Sequence, residues 1–220
     1  MRTEFRLPNA FRLAGYVGLA GLAGIFAFAP LPLFAQTYRV LHDFCSKANC
    51  ADGLGPTGLM MDNSGHYYGA AGRGGAYGQG AVFELIPEAD RWKVKILHSF
   101  CAQQNCTDGA NPDYKLMVDT AGNLYGTTQL VSDTEGGIVF KLAPNARRTR
   151  WKFQILYTFC ALANCGDGSD PVAGITYAGQ ANGKLYDGVS PLFGTTLQGG
   201  ATRCLRAATQ GTEMEGKYAL

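Results

Sequence analysis

Three stretches of this chain are near-copies of one another, and a chain that repeats itself in this way has to build its core by stacking like units. They read LHDFCSKANCADGLGP from Leu41, LHSFCAQQNCTDGANP from Leu97 and LYTFCALANCGDGSDP from Leu156. A second block follows each copy, as DNSGHYYGAAG at Asp62, DTAGNLYGTT at Asp119 and NGKLYDG at Asn182. A third block occurs twice, as GAVFELIP from Gly80 and GIVFKLAP from Gly137.

The rhythm inside the unit is that of a strand. In WKVKILHSF, residues Trp92, Val94, Ile96, His98 and Phe100 fall on one side, and in WKFQILYTF so do Trp151, Phe153, Ile155, Tyr157 and Phe159. Tyr38, Val40, His42 and Phe44 follow the same rule. In the two longer strings the opposite side is polar except at Leu97 and Leu156. Alternation with period two marks half-buried strands. Each unit offers four such strands in order: LMMD, HYYGAA, AVFELI and WKVKILHSF. Asp62-Asn63-Ser64-Gly65 and Thr120-Ala121-Gly122-Asn123 supply hairpin turns. Four antiparallel strands per repeat is the make-up of a propeller blade. The expected fold is therefore all-β, with propeller-like antiparallel blades in an incomplete set: two full blades plus partial ones.

The third unit departs from the pattern. LYDGVSP, Leu185 to Pro191, stands as an insertion before LFGTT, a second copy of the GNLYGTT ending. After Gly199-Gly200, Leu205-Arg206-Ala207-Ala208 replaces Gly80-Ala81-Val82-Phe83, so the last two strands are not expected. A truncated or frameshifted end and a different capping tail both account for this.

The opening residues have the layout of a secretory leader: Arg2, Arg6 and Arg12, an apolar run from Leu13 to Phe34, and Ala35 as the cleavage position. Uncut, the run is long enough to anchor the chain in a bilayer. The expected organisation is a signal peptide at 1–35, a β-repeat domain at 36–204 with repeats of about 38–92, 93–151 and 152–204, and an atypical tail at 205–220. The leader takes three arginines and Glu4, so the formal charge of +2 falls to zero in the mature chain. A nucleic-acid binder carries a basic excess, and none is left here. A membrane is expected as a partner only through an uncut leader.

Six of the seven cysteines pair with four residues between them: Cys45 with Cys50, Cys101 with Cys106, and Cys160 with Cys165. In an exported chain this reads as three local disulfides. Thiolate zinc binding is the weaker rival, since each pair would need ligands borrowed from elsewhere. Cys204 is left over. Asp52-Gly53, Asp108-Gly109 and Asp167-Gly168 precede Pro56, Pro112 and Pro171. They read as turns in which Asp caps its own backbone and Gly takes positive φ. A calcium site needs more oxygens than one Asp per unit provides.

A residue that recurs in every unit serves to build the unit, whereas a reaction centre need occur only once. By that rule His42 and His98, whose third counterpart is Tyr157, are wall residues beside aromatic neighbours, and His66 is a solvated turn residue. Asp113, Asp133, Glu135 and Asp187 are unit-specific acids, with no pattern that brings two of them together. No G-x-S-x-G elbow is present. The repeated tyrosines Tyr68, Tyr125 and Tyr186 would stack on sugar rings if exposed, and otherwise pack within the sheet. No catalytic residue, cofactor or metal ligand is assigned.

GNLYGTT at Gly122, VFKLAP at Val139, ILHSF at Ile96 and the repeated DGxxP together resemble the GloVer tandem-repeat proteins, exported bacterial proteins with a choice of C-terminal anchor. The resemblance runs from about Tyr38 to Gly200. It implies a propeller-like extracellular array and no catalytic residues. The expected function is that of a non-catalytic secreted, periplasmic or cell-surface protein that binds a glycan or cell-envelope component or serves as a scaffold. It could also self-associate through open sheet edges. A carbohydrate-active propeller enzyme and an incomplete gene product without activity are the alternatives.

Overall fold

The computed structural model describes residues 38–62, 64–131 and 136–200. The expected leader, Cys204, the tail, Asp133 and Glu135 lie outside the described residues. The described residues from Arg39 to Gly200 fall in one unit.

The described fold is all-β. β1 (Leu54–Met61), β2 (Tyr67–Arg73), β3 (Ala81–Pro87) and β4 (Trp92–Ser99) form one four-stranded sheet in the order of the sequence. β5 (Met117–Val118), β6 (Leu124–Thr128), β7 (Ile138–Pro144) and β8 (Trp151–Thr158) repeat it. Every pairing in both sheets is antiparallel. In the third unit β9 (Ser169–Pro171) pairs with β12 (Thr196–Gln198), and β10 (Thr176–Tyr177) with β11 (Leu192–Phe193). The only helical pieces among the described residues are single 3-10 turns, and none is long and apolar enough to cross a membrane.

The alternation expected for the fourth strand holds only in part. Phe83 pairs with Ile96 and Val82 with His98, so Leu97 is an extra residue bulged out of the ladder; Leu156 is bulged in the same way between Ile155 and Tyr157. An inserted residue reverses the face of everything after it. Trp92, Val94 and Ile96 therefore pack with Phe83 and Leu85 on one face of the first sheet. Phe100 crosses to the other face and joins Val82, Leu116, Ile138 and Phe140 in the core between the two sheets. Phe159 likewise leaves the face of Phe153 for a third core with Val139, Ile175 and Leu192. The bulge thus lets each fourth strand fill two successive cores.

Units are also joined by their backbones. The Asn111 N–H donates to the Gln79 carbonyl at 2.9 Å and the Asp170 N–H to that of Gly136 at 2.7 Å. Beside these bonds Pro112 lies against Gly80 and Pro171 against Gly137, so close that a Cβ on either glycine would stand 2.4 Å from the proline Cδ. The DGxxP string of one unit and the glycine that opens the third block of the preceding unit are two halves of one contact.

Candidate functional site

The cysteine loops end on an acid. Cys45 and Cys50, Cys101 and Cys106, and Cys160 and Cys165 stand at disulfide bonding distance. Each loop closes through a 3-10 turn with Asn49, Asn105 or Asn164 at φ near +55, a conformation that asparagine tolerates better than most residues. Below the turn the Asp of the Asp-Gly pair takes the loop's free amides. Asp52 accepts from Ser46 N–H and Lys47 N–H, both at 3.2 Å, and from Ser46 Oγ at 2.7 Å. Asp108 accepts from Ala102 and Gln103 N–H at 3.1 and 3.2 Å, and Asp167 from Ala161 and Leu162 N–H at 3.0 and 3.1 Å. The expected turn chemistry is present, and it is non-local: each acid reaches back five and six residues.

A second partner comes from the segment before the loop, which is strand in the second and third units. His42 Nε2 lies 3.0 Å from Asp52 Oδ2, and Tyr157 donates its hydroxyl to Asp167 at 3.0 Å. His98 Nε2 lies 3.4 Å from Asp108 Oδ2, within ion-pair reach but not aligned as a hydrogen bond. The three side chains are wall residues as expected, edge-on to Phe44, Phe100 and Phe159. Sequence reasoning missed that all three face the acid of their own loop. Burial by itself would raise the Asp52 pKa, but the hydrogen bonds from Ser46, His42 and Lys47 outweigh it and hold the carboxyl well below its usual range. Asp167 is lowered in the same way by its amide donors and Tyr157. Burial, and then Asp167, push Tyr157 up to about 12. Burial lowers the His98 pKa against the opposing pull of Asp108.

A second polar cluster occupies the hairpin end of the sheets. Asp62 caps its own turn through Ser64 and His66 N–H, at 2.8 and 3.1 Å, and accepts from the Tyr68 hydroxyl at 3.2 Å. Asp119 does the same with Ala121 N–H, Asn123 N–H and the Tyr125 hydroxyl, each at 2.9 Å. The units then diverge at the residue paired across from the tyrosine. It is Glu84 opposite Tyr68 but Lys141 opposite Tyr125. Buried Glu84 accepts from Tyr68 at 3.1 Å and stands 2.7 Å from His66 Nδ1, with Lys95 at 3.5 Å. Lys141 lies over the Tyr125 ring. His66 is thus held against a buried carboxylate rather than simply solvated. Arg148, from the β7–β8 turn, reaches into the first sheet and donates to Asp62 at 2.7 Å and to the Tyr68 hydroxyl at 2.9 Å. Burial raises the Asp62 pKa, but the His66 and Ser64 amides, Arg148 and Tyr68 outweigh it and the carboxyl is lowered. Burial and Glu84 push Tyr68 up, and burial and Asp119 push Tyr125 up. Both phenols stay protonated and act as donors.

Tyr68, Tyr125 and Tyr186 are 1%, 2% and 4% exposed, so their rings are packed within the sheets and are not open for stacking on a sugar. Tyr186 is also not the third member of the series. Phe193 pairs with Thr176 as Tyr125 does with Met117 and Tyr68 with Met60, so Phe193 holds the equivalent position. Tyr186, from the insertion, fills the corner beside Asp119. Its carbonyl accepts from Thr120 N–H at 2.9 Å, and its ring stands edge-on to Tyr125. Of the unit-specific acids, Asp187 is occupied by its own turn, accepting from Val189 and Ser190 N–H at 2.9 and 2.8 Å, which hold its pKa at about 2 together with the Ser190 hydroxyl, the largest cause. Asp113 lies against Gly72 of the first sheet. The two have no partner in common. Among the described residues no group of three His, Cys, Asp or Glu side chains could hold a metal ion.

The sequence matches the family described as the Gloeobacter/Verrucomicrobia repeat over residues 17–204. No curated protein and no solved structure matches it significantly.

Proposed function

The chain belongs to the Gloeobacter/Verrucomicrobia repeat family, and on that premise we propose that it is an exported, non-catalytic repeat protein with propeller-like blades that binds a glycan or another cell-envelope component, or serves as a cell-surface scaffold. The observation that carries this reading is the use made of the recurring polar residues. Asp52, Asp108 and Asp167 cap their own loops, and Asp62 and Asp119 cap their own hairpins. Tyr68 and Tyr125 serve those hairpin acids as hydrogen-bond donors from inside the sheets. Such groups build units, and what varies between units, such as the Leu185–Pro191 insertion, is left to shape the surface.

The blade reading is supported by two successive four-stranded antiparallel sheets that share a core face to face. Export is supported by three disulfide loops, which persist in oxidising compartments. The test is a glycan-array and ligand-shift screen on the oxidised mature chain. Saturable binding of an envelope glycan without turnover supports the reading. Release of reducing sugar from a bound glycan, abolished by replacing a single acid, overturns it.

A further inference from the structure

The face of the first sheet that looks away from the second is built for a neighbour it does not have among the described residues. Its residues correspond position by position to the covered face of the second sheet. Leu59, Tyr67, Phe83 and Leu85 stand where the second sheet has Leu116, Leu124, Phe140 and Leu142. In the second sheet that face is covered by Tyr68, Ala70, Val82 and Phe100 of the first, and Leu116 is 3% exposed. In the first sheet the segment before the Cys45 loop supplies Leu41 and Phe44, the latter packed on Phe83 as Phe100 is on Phe140. Among the described residues nothing replaces the β1–β2 part of a preceding sheet, and Leu59 is 44% exposed. Terminal repeats of stacked arrays carry polar outer faces. This one carries the apolar residues of an internal face.

The missing cover is the strand pair that the third unit does build. β10–β11 corresponds to β5–β6 and to the paired part of β1–β2, and Phe193 to Tyr125 and Tyr68. Tyr68 and Tyr125 are buried by the next unit, whereas Phe193 is 43% exposed. Among the described residues the first sheet thus presents a receiving face that is uncovered on its β1 side at Leu59, and the third unit the strand pair that covers such a face elsewhere in the same molecule. We infer that a second copy of this chain docks its β10–β11 pair, through Phe193, on the β1–β2 face around Leu59 of the first. The contact continues the interface already used between the first two sheets. It joins unlike surfaces, so copies associate head to tail, into a closed ring where the rotation permits and an open array where it does not. The inference does not depend on whether the protein binds a ligand.

Sedimentation velocity on the oxidised full chain tests it, with Leu59→Lys and Phe193→Lys as variants, each checked for native far-UV circular dichroism. The wild type is expected to reach at least twice the monomer mass as concentration rises, and each variant to remain monomeric. Mixing the two variants is expected to restore a 1:1 dimer that grows no further, because each retains the surface the other has lost. A wild type that stays monomeric at every concentration overturns the proposal, leaving residues 1–37, residues 201–220 or a different protein as the cover. Association unaffected by either lysine, or a mixture that stays monomeric, overturns it as well. Should a lysine variant fail to fold, Leu59→Ser and Phe193→Ser are read by the same criteria.

Discussion

Tyr157 donates its hydroxyl to Asp167 from the sequence position at which the first two units set His42 and His98 against Asp52 and Asp108. The acid is the constant member of the pair and the ring is the variable one. The amides of the cysteine loop are therefore what the acid serves first, and the ring is a second neighbour that donates in the first and third units. Replacing Asp108 by Ala strands the Ala102 and Gln103 N–H groups in a site where the acid is fully buried. The expected loss in urea-unfolding free energy is about 2–3 kcal/mol, as for charged hydrogen bonds whose partners are left unpaired. Asp108→Asn, which keeps one acceptor oxygen, should lose less. An Asp108→Ala protein as stable as wild type would remove the acid from the account of the loop.

The His98 ring stacks on Phe153 at 4.1 Å and lies edge-on to Phe100, and burial lowers its pKa. A histidine with a depressed folded pKa contributes stability that is fully present above its unfolded pKa, about 6.5, and is lost as pH falls through the folded value. His98→Tyr, which copies the third unit, removes that proton uptake. The slope of unfolding free energy against pH between neutrality and mild acid should flatten in the variant. Asp52, Asp62 and Asp167 are lowered, so their contributions are present above about pH 4 and are lost below it. Wild type and His98→Tyr should therefore share the same steep acid limb. Two parallel curves down to pH 5 would show that His98 is not the titrating group.

Three bridges consume six of the seven cysteines. Unfolded without reductant, the chain should titrate a single thiol, and after reduction seven. Replacing Cys101 and Cys106 together by Ala opens one short loop and should cost about 2 kcal/mol in the chain-entropy account. Six or seven thiols before reduction would exclude the bridges.

The strands were legible because period-two alternation follows directly from the pleat. AVFELI and WKVKIL lie where β3 and β4 are found. The bulges at Leu97 and Leu156 were not legible. An apolar residue on the polar side of a strand looks like a pattern error, and only the pairing of Val82 with His98 shows that it is an extra residue. The His–Asp relationship was hidden for the same reason, since the bulge decides which way His98 points. The glycine of GNLYGTT was visible as a motif letter without its cause. A Cβ at Gly126 would stand 2.7 Å from Phe140 Cζ and 2.8 Å from Leu116 Cδ2, so the strand has to be bare there for the core to close. Tyr186 falls in the series by letters alone, because LYDG resembles LYGT, while register places Phe193 there.

Arg148 is the side chain whose role no local pattern could reveal, because both its partners lie in the first sheet, 86 and 80 residues earlier in the chain. Its guanidinium bridges the Asp62 carboxylate and the Tyr68 hydroxyl, and its side chain is 38% exposed against 10% for Asp62. Solvent screens the outer side of such a pair, but the acid is desolvated enough that losing the cation leaves it poorly compensated. Arg148→Met keeps the stem and removes the charge, and should cost roughly 1–2 kcal/mol in urea unfolding. Asp62→Asn alone should cost a similar amount, because it also weakens the cap on its own hairpin. If the two act on each other, the double variant will lose less than the sum of the singles, with a coupling on the order of 1 kcal/mol. Strict additivity would mean that Arg148 acts through the Tyr68 hydroxyl and the packing of its stem, and that its ion pair with Asp62 adds nothing to the contact between the first and second sheets.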